Sequence, residues 1–180
     1  RIERDGIELR LIDIRSDINS YLPQILTLYG QRRVSKQQNN SFTIDHFSEF
    51  LKRVINKFEQ NNMVSLSLLV DKDDRIWAFQ LDWLLNGIRY HYSRGFDEGF
   101  KEYSPGKILL YLLLKESFKD TCIHQCNFMR GESSYKKNFA NQSEAYVSIH
   151  VKNPFSARNR LVMLASRVVN LRDRLGSLYK

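Results

Sequence analysis

The chain has 180 residues, 42% of them hydrophobic and 27% charged, proportions that suit a globular domain and exclude a disordered chain. Its longest apolar run, from Ile108 to Leu114, is too short to cross a bilayer. The net charge of +8 favours an anionic partner, such as a phosphorylated cofactor, an acidic carrier protein, nucleic acid or a lipid surface. A solvated basic surface explains the same charge equally well.

The cysteine count and the first residue bear on location and completeness. Cys122 and Cys126 are too few for a disulfide framework and suit a reducing compartment, so we expect a cytoplasmic protein. Arg1 is not an initiator residue, so we expect the C-terminal part of a longer protein, whose upstream part could hold a second domain. Residues 1–180 themselves have the length of a single domain.

The N-terminal third predicts one strand and two helices. Ile7 to Ile12 alternates apolar and polar residues, as a half-buried strand does. Ser16 can cap a helix that runs to about Arg33, although Pro23 lies within it and predicts a kink or a later start. After a polar loop from Ser35 to Ser41, Thr43 can cap a second helix with one apolar face.

The middle of the chain predicts an antiparallel meander followed by a buried helix. The three strands are expected over Met63 to Val70, Ile76 to Leu85 and Ile88 to Ser93. The dipeptide Asn86-Gly87 favours a tight hairpin between the last two. The helix from Pro105 to about Lys119 is apolar nearly all round, which predicts burial on most sides.

The C-terminal part predicts two more strands and two more helices. The strands are expected near Cys122 to Phe128 and over Ala145 to Val151, and a short helix over Tyr135 to Ala140. A long basic amphipathic helix is expected over 155–179. The whole order indicates an α/β (α+β) fold with a mixed, mostly antiparallel sheet of about six to seven strands, flanked by helices.

The turn before the buried helix is the first candidate site. Ser104 can act as N-cap, Pro105 occupies the first helical position, and Gly106 leaves the backbone open to close approach by a ligand. Free N–H groups and the helix dipole suit a phosphate there, and Lys107 adds positive charge. The alternative is simply a well-started helix, since Ser-Pro starts are common.

The segment from Gly131 to Lys137 is the second candidate site. Glu132 can act as general base on an amine, and Tyr135 or Lys136 can donate a proton to a leaving thiolate. The alternative is a polar loop with a surface charge pair.

The remaining cysteines and histidines predict no metal site. Cys122, His124 and Cys126 alternate along one predicted strand, but a zinc site needs about four ligands and no second pair lies at a ligand spacing. We therefore interpret them as sheet residues. His46, His91 and His150 are scattered and belong to no motif.

Three motifs in this order resemble the GNAT acyltransferase superfamily, and most closely its CelD-like, or cellulose-biosynthesis-type, acetyltransferase branch, which is related to the Fem-type aminoacyl transferases. They are the strand pair ending in Tyr90-His91-Tyr92-Ser93-Arg94-Gly95-Phe96-Asp97, the segment Tyr103-Ser104-Pro105-Gly106-Lys107-Ile108-Leu109-Leu110, and the segment from Asn127 to Ala140. The last of these is similar to that branch's Gly-Glu/Asp-x-x-Tyr-Lys-x-x-(aromatic)-Ala.

The resemblance implies a sheet that splays open between the strand ending at Ser93 and the strand near His124. It places the pantetheine arm of acetyl-coenzyme A along Tyr92 and Ser93, and its pyrophosphate on the turn. It implies direct attack of an amine on the thioester in a ternary complex. Catalysis would then rest on positioning and on polarising the carbonyl. Proton transfer would fall to Glu132, Tyr135 and Lys136, and the cofactor-binding turn is Ser104, Pro105, Gly106 and Lys107.

The function we expect is therefore N-acyl transfer, most simply N-acetyl transfer, to an amine of a small metabolite, an amino sugar or a cell-envelope precursor. Two alternatives stay open. Ser-Pro-Gly replaces the superfamily's usual Gln/Arg-x-x-Gly-x-Gly/Ala loop, so a Fem-like transferase that uses aminoacyl-tRNA is one of them. The other is a non-catalytic module whose basic C-terminal helix binds an acidic partner or a membrane surface. We also expect that the chain could associate with a second GNAT-like domain or form a homo-oligomer.

Overall fold

The computed structural model of the chain describes residues 4–35, 45–131, 134–145 and 147. The chain divides into two compact units, Arg1–Asn141 and Gln142–Lys180. In the second unit, residues 142–145 and 147 are described and have no regular secondary structure. The strand predicted from Ala145 to Val151 lies largely outside the described residues, and the helix predicted over 155–179 lies wholly outside them. The expectation of a single domain over 1–180 therefore stays a prediction.

The first unit is built on one sheet whose strand order follows the chain, β1-β2-β3-β4-β5. Neighbouring strands are antiparallel except β4 and β5, which are parallel. The strands are β1 (Leu9–Ile14), β2 (Val64–Asp71), β3 (Ile76–Leu85), β4 (Ile88–Phe96) and β5 (Gln125–Asn127). The predicted mixed, mostly antiparallel sheet is confirmed, with five strands in the described part of the chain.

Helices lie in two of the connections between these strands and after the last strand. Two of them connect β1 to β2, one connects β4 to β5, and one follows β5. They are α1 (Leu22–Ser35), α2 (Asp45–Glu59), α3 (Pro105–Ser117) and α4 (Ser134–Phe139), with short 3₁₀ helices at Ile18–Tyr21 and Glu98–Tyr103. Within the described residues, no helix is long and apolar enough to cross a membrane.

The hairpin between β3 and β4 forms at the predicted dipeptide. Asn86 has φ 50° and Gly87 has φ 73°, and these left-handed conformations at both central positions match a primed turn. A Cβ at Gly87 would also lie 3.0 Å from the carbonyl oxygen of Cys122 and 2.4 Å from Nδ1 of His124, so the exposed His124 ring would have to move. The turn fixes the register of the strands, so that Leu85 lies opposite Ile88.

Three predicted boundaries differ from the structure. The first long helix begins at Leu22 rather than after Ser16, because Pro23 is tolerated in a first turn but not in a helix interior. The strand β4 continues past Ser93 to Phe96. The strand expected from Cys122 to Phe128 is reduced to Gln125–Asn127, so that Cys122 and His124 precede it.

The two faces of the sheet are both buried. The helices α1 and α2 pack on one face and bury an apolar core that includes Leu22, Leu51 and Ile55 from the helices and Leu66 and Leu81 from the strands. On the other face, Leu109 of α3 packs with Leu69, Trp77 and Ala78. This double coverage explains why seven consecutive residues of β2, Val64 to Val70, are all buried.

Candidate functional site

The parallel strands β4 and β5 separate after a short contact. They pair only over Ile88–Tyr90 and Gln125–Asn127. From His91 to Phe96, β4 continues with β3 as its partner on one side and, among the described residues, no strand on the other. The separation also coincides with a β-bulge, because His91 lies opposite Asp82 and Ser93 opposite Leu81, which leaves Tyr92 as the extra residue. Bulges often re-aim side chains beside functional sites. The sheet thus opens where the resemblance predicts it.

A cavity of about 140 Å³ lies in this opening. That space suits the reactive end of a ligand rather than a whole nucleotide. Its wall combines β3 and β4 with α3, the segment that follows β5, and α4. The lining residues are Gln80, His91, Tyr92, Ser93, Arg94, Leu110, Phe128, Met129, Arg130, Tyr135 and Lys136.

A buried polar cluster lies beside the cavity, which two of its members, Gln80 and His91, line. The Asp82 carboxylate is fully buried and accepts hydrogen bonds from Gln80 Nε2 at 2.7 Å and from Arg89 Nη1 at 3.3 Å. The Nδ1 atom of His91 lies 3.0 Å from Oδ1 of the same carboxylate. A buried carboxylate requires such partners, because desolvation of an unpaired charge is costly.

His91 is held by Asp82 through Nδ1 and lines the cavity. Its Nε2 is buried and has no hydrogen-bond partner in the described structure, and its ring stacks on Phe128 with centroids 5.1 Å apart. Burial lowers the pKa of His91, but the Coulombic attraction and hydrogen bond of Asp82 outweigh this and raise the pKa from 6.5 to about 9. The imidazole is therefore a cation at neutral pH, and its Nε2–H is a donor.

Two further cationic side chains, Arg94 and Lys136, line the cavity. The guanidinium carbon of Arg94 lies 3.4 Å from the centroid of the Tyr135 ring, a cation–π contact that holds the phenol in place. The ammonium of Lys136 donates to three successive carbonyls, those of Met129, Arg130 and Gly131, at 3.2, 2.7 and 3.0 Å. Desolvation and the charge of Arg94 lower the pKa of Lys136. This lysine thus fastens the turn between β5 and α4.

The turn before α3 begins the helix in a different way from the one predicted. Ser104 occupies the N-cap position, but it has φ 54° and its hydroxyl makes no capping hydrogen bond. Its carbonyl instead accepts from the N–H groups of Lys107 and Ile108 at 2.9 and 3.3 Å. A Cβ at Gly106 would meet only Phe96, at an ordinary 3.5 Å. The backbone of Gly106 is therefore approachable from outside.

The structure brings some of the predicted site residues together and leaves others apart. Tyr92, Ser93, Tyr135 and Lys136 line one cavity. The residues Ser104 to Lys107 lie at the start of α3, whereas the cavity reaches that helix at Leu110. The side chain of Tyr92 packs against Trp83 in the apolar core, with centroids 5.0 Å apart, so only its backbone is offered to the opening. Glu132 lies outside the described residues.

Sequence reasoning missed the Asp82–His91 pair, although a signal for it exists. Gln80 and Asp82 are polar residues at alternate positions of an otherwise apolar strand. The two-residue turn at Asn86-Gly87 fixes the pairing of β3 with β4, and counting back from Leu85 and Ile88 places Asp82 opposite His91. Treating the histidines as scattered overlooked this register.

The described residues contain no group of three or more His, Cys, Asp or Glu side chains that could hold a metal ion. Cys122 is exposed and Cys126 is half-buried, and both are free thiols. Since the strand β5 begins only at Gln125, the expected alternation of Cys122, His124 and Cys126 along one strand is wrong.

An antiparallel meander, a crossover helix and a parallel strand that leaves the sheet after three residues define the acyltransferase class of α/β fold. A family described as "Acetyltransferase (GNAT) domain" matches residues 1–137. The chain belongs to this family. The match ends within α4, so it includes every element of the sheet and all residues that line the cavity.

Solved structures share the fold at low sequence identity. A predicted acetyltransferase from Clostridium acetobutylicum, solved with acetyl-coenzyme A, has a TM-score of 0.59 and 13% identity, covering 79% of this chain and 96% of its own. An aminoglycoside acetyltransferase from an uncultured soil metagenomic sample, solved with sisomicin, has a TM-score of 0.54 and 16% identity, covering 85% and 99%. A search of curated protein sequences gave no significant match.

Proposed function

We propose that the chain is an N-acetyltransferase that moves the acetyl group of acetyl-coenzyme A to an amine by direct attack in a ternary complex. The observation that carries this proposal is the opening between β4 and β5, with the cavity inside it and the start of α3 beside it. Family membership supports the acetyl group, and the relative solved with acetyl-coenzyme A supports the donor.

The residues at the opening fit such a donor. The edge of β4 from His91 to Phe96 can pair with the amides of a pantetheine arm, as an added strand would. Backbone groups near Tyr92 and Ser93 would make these bonds. The start of α3 offers the positive end of a helix dipole, and exposed Lys107 adds charge for the pyrophosphate. The open backbone at Gly106 would let the phosphate come close.

We propose different roles for the three residues predicted to transfer protons. The Tyr135 phenol lines the cavity beside Arg94, so in this proposal it gives its proton to the departing thiolate. The Lys136 ammonium is already bonded to three carbonyls, so we assign it to holding the turn. Glu132 keeps the role of general base that its place in the motif suggests.

The acceptor we propose is a small-molecule or sugar amine. The sisomicin bound to one relative is an example of a small amine acceptor in this fold. The motifs of the CelD-like branch favour an amino sugar or cell-envelope precursor, and the Fem-type relation would follow from the same branch. Since the two cysteines are free thiols, which suit a reducing compartment, the proposed location is the cytoplasm.

A thermal-shift titration with acetyl-coenzyme A on wild type and Gly106→Ala tests the donor assignment. Wild type should show a saturable rise in Tm. In the variant the protein without ligand should be equally or more stable, because alanine favours a helix by up to about 1 kcal/mol over glycine. Its acetyl-coenzyme A affinity should nevertheless fall about 10-fold, since the methyl group occupies the approach to the helix start.

Lys115→Ala, at the far end of the same helix, is the matched control and should bind like wild type. No shift of wild type at millimolar acetyl-coenzyme A would refute the donor. A salt-sensitive tRNA affinity in its place would point to the Fem-like alternative. Unchanged affinity in Gly106→Ala would refute the placement of the phosphates on this turn.

A further inference from the structure

We propose that His91 is a catalytic residue of this site, and that its Nε2–H donates a hydrogen bond to the carbonyl oxygen of the donor thioester as negative charge develops there. This inference rests on the proposed function and gives a role to His91, which lies within the first motif but has no role assigned to it there. It is carried by the geometry of the Asp82–His91 pair at the cavity wall.

The orientation of the His91 imidazole is fixed by its neighbours. Since Nδ1 is bonded to Asp82 at 3.0 Å, the ring cannot turn without breaking a buried bond. Asp82 is itself fixed by Gln80 and Arg89. The stack of the imidazole on Phe128 also restricts tilting of the ring. Such support from a second layer of residues is what a donor needs to be preorganised.

The second ring nitrogen of His91 is buried. The His91 side chain is 5% exposed, and by geometry its Nε2 has no hydrogen-bond partner in the described part of the chain, although the Cys126 thiol also interacts with the imidazole and helps to raise its pKa. Buried donors are nearly always paired, because leaving one unsatisfied costs free energy. The residue lines the cavity, so an oxygen atom of a ligand there can supply the missing partner.

The imidazole of His91 carries a positive charge at neutral pH. The groups that face His91 come from every element around it. Asp82 of β3 is the anion, and the others are Arg89 and Arg94 of β4, Cys126 of β5, and Tyr135 and Lys136 of α4. Burial opposes the charged imidazole, but the pair with Asp82 dominates, so the pKa of His91 is raised to about 9. At neutral pH the residue is a donor and cannot serve as the base.

The position of His91 along β4 fits this role. It is the first residue beyond the three that pair with β5, and hence lies at the apex of the opening. A pantetheine arm that enters from the start of α3 and follows β4 would bring its thioester end to this apex. The bulge at Tyr92 directly follows His91 along the edge of β4 that would hold the arm.

The proposed chemistry balances without a change in the charge of His91. The lone pair of the neutral amine forms the new C–N bond, and the π electrons of the thioester carbonyl move to oxygen, where Nε2–H bonds to the oxyanion. Collapse re-forms the C=O bond and breaks the C–S bond, whose electrons leave with sulfur. Tyr135 protonates that sulfur and is then reprotonated by the proton that leaves the acceptor nitrogen, which the general base of the proposed function carries.

The experiment compares His91→Gln with His124→Gln, a matched control at an exposed histidine before β5. We measure kcat with a screened amine and the Kd of acetyl-coenzyme A by calorimetry. In His91→Gln, kcat should fall by about 10²–10³, as it does when one oxyanion donor is removed. The Kd should change less than 3-fold. The control should match wild type in both.

A second measurement uses wild-type protein and does not depend on turnover. In ¹⁵N-labelled protein, the imidazole of His91 should titrate near pH 9, and in Asp82→Asn its pKa should fall below the ordinary value of 6.5, because burial remains when the anion is removed. Acetyl-coenzyme A should shift the Nε2–H resonance, whereas coenzyme A without the acetyl group should leave it in place.

The outcomes separate the two proposals. If acetyl-coenzyme A binds, but His91→Gln retains kcat within 3-fold or the Nε2–H resonance ignores the acetyl group, only the role of His91 is overturned. If wild type binds no acetyl-coenzyme A at all, both the proposed function and this inference fall. A His91→Gln protein that does not fold leaves the resonance measurement to decide.

Discussion

The two faces of this sheet are built from alternate residues of the same strands, yet they differ in chemistry. Toward α1 and α2, β2 and β3 present Leu66, Leu68, Phe79 and Leu81, all buried. On the opposite face, besides Leu69 and Ala78, which pack with Leu109, the same strands present four buried polar residues, Ser65, Ser67, Gln80 and Asp82. Asp13 of β1 adds a carboxylate that accepts from Ser65 and Ser67.

Burial contributes differently to stability on the two faces. Apolar burial stabilises the fold by about 25 cal/mol for each Å² removed from water. A buried ion pair gains little over a well-packed apolar substitute, because desolvation offsets the attraction. The polar face is thus a poor way to stabilise a sheet, and its placement beside the cavity accounts for it better than stability does.

The largest effect is expected from breaking the polar face at one point. Asp82→Ala leaves Arg89 and His91 buried without their anion, so the free energy of unfolding should fall by about 4 kcal/mol. Urea denaturation would measure it. Asp73→Ala, at an exposed turn residue, is the control and should stay within about 0.5 kcal/mol of wild type.

Replacing the whole cluster sharpens the same test. The triple variant Asp82→Leu, Arg89→Met, His91→Leu should recover most of the stability lost in Asp82→Ala, because no unpaired charge remains. Gln80 keeps partners in the carbonyls of Leu81 and Ser93. The triple variant should transfer no acetyl group. A triple variant less stable than Asp82→Ala would show that the polar face exists for stability, against the comparison.

The next effect concerns the apolar face. Leu66 is fully buried in its cluster, and Leu66→Ala should lower the free energy of unfolding by about 3 kcal/mol through lost burial and a residual cavity. The acetyl-coenzyme A affinity of the folded fraction should not change, as measured by calorimetry at low temperature. Phe118→Ala, at a residue that is 90% exposed, is the neutral control. A large loss of affinity in Leu66→Ala would mean that the two faces are not independent.

The smallest effect is the pH dependence of the free energy of unfolding, which should arise from the polar face and not from the apolar one. The pKa of His91 is raised in the folded protein from 6.5 to about 9, so its contribution to stability is complete below pH 6.5 and is lost as pH rises through 9. The free energy of unfolding should fall by between about 2 and 3 kcal/mol over that range. His91→Gln should lack this loss, and Leu66→Ala should keep it. A wild-type curve that is flat from pH 6.5 to 9 would contradict the charged imidazole.

Local rules predicted the scaffold well where the sequence pattern was strong. The strand from Ile76 to Leu85 was placed at its observed bounds, since its residues favour a strand and a turn dipeptide follows it. The hairpin at Asn86-Gly87 and the helix start at Pro105 were placed correctly for the same reason. The strand near Cys122 was placed too long, because a three-residue strand at a sheet edge is fixed by its partner and has little pattern of its own.

The candidate site divided in the same way. Tyr92, Ser93, Tyr135 and Lys136 were predicted from motifs and meet in the cavity. His91 was set aside, because an isolated histidine in a sequence shows neither its depth nor its partner. Lys136 was predicted as a proton donor, and its three carbonyl contacts depend on a turn geometry that no spacing rule supplies.

By itself the sequence determined the order of the elements in the described first unit, the hairpin register and the family, because these follow from local conformational preference and from motifs that are read along the chain. Tertiary structure alone decided where β4 leaves β5, and therefore where the cavity lies. It also decided that Asp82 and His91 are buried together, and so that an ordinary histidine carries a charge at neutral pH. The physical reason is that burial and Coulombic attraction depend on distances across the sheet, which exist only once the strands have assembled.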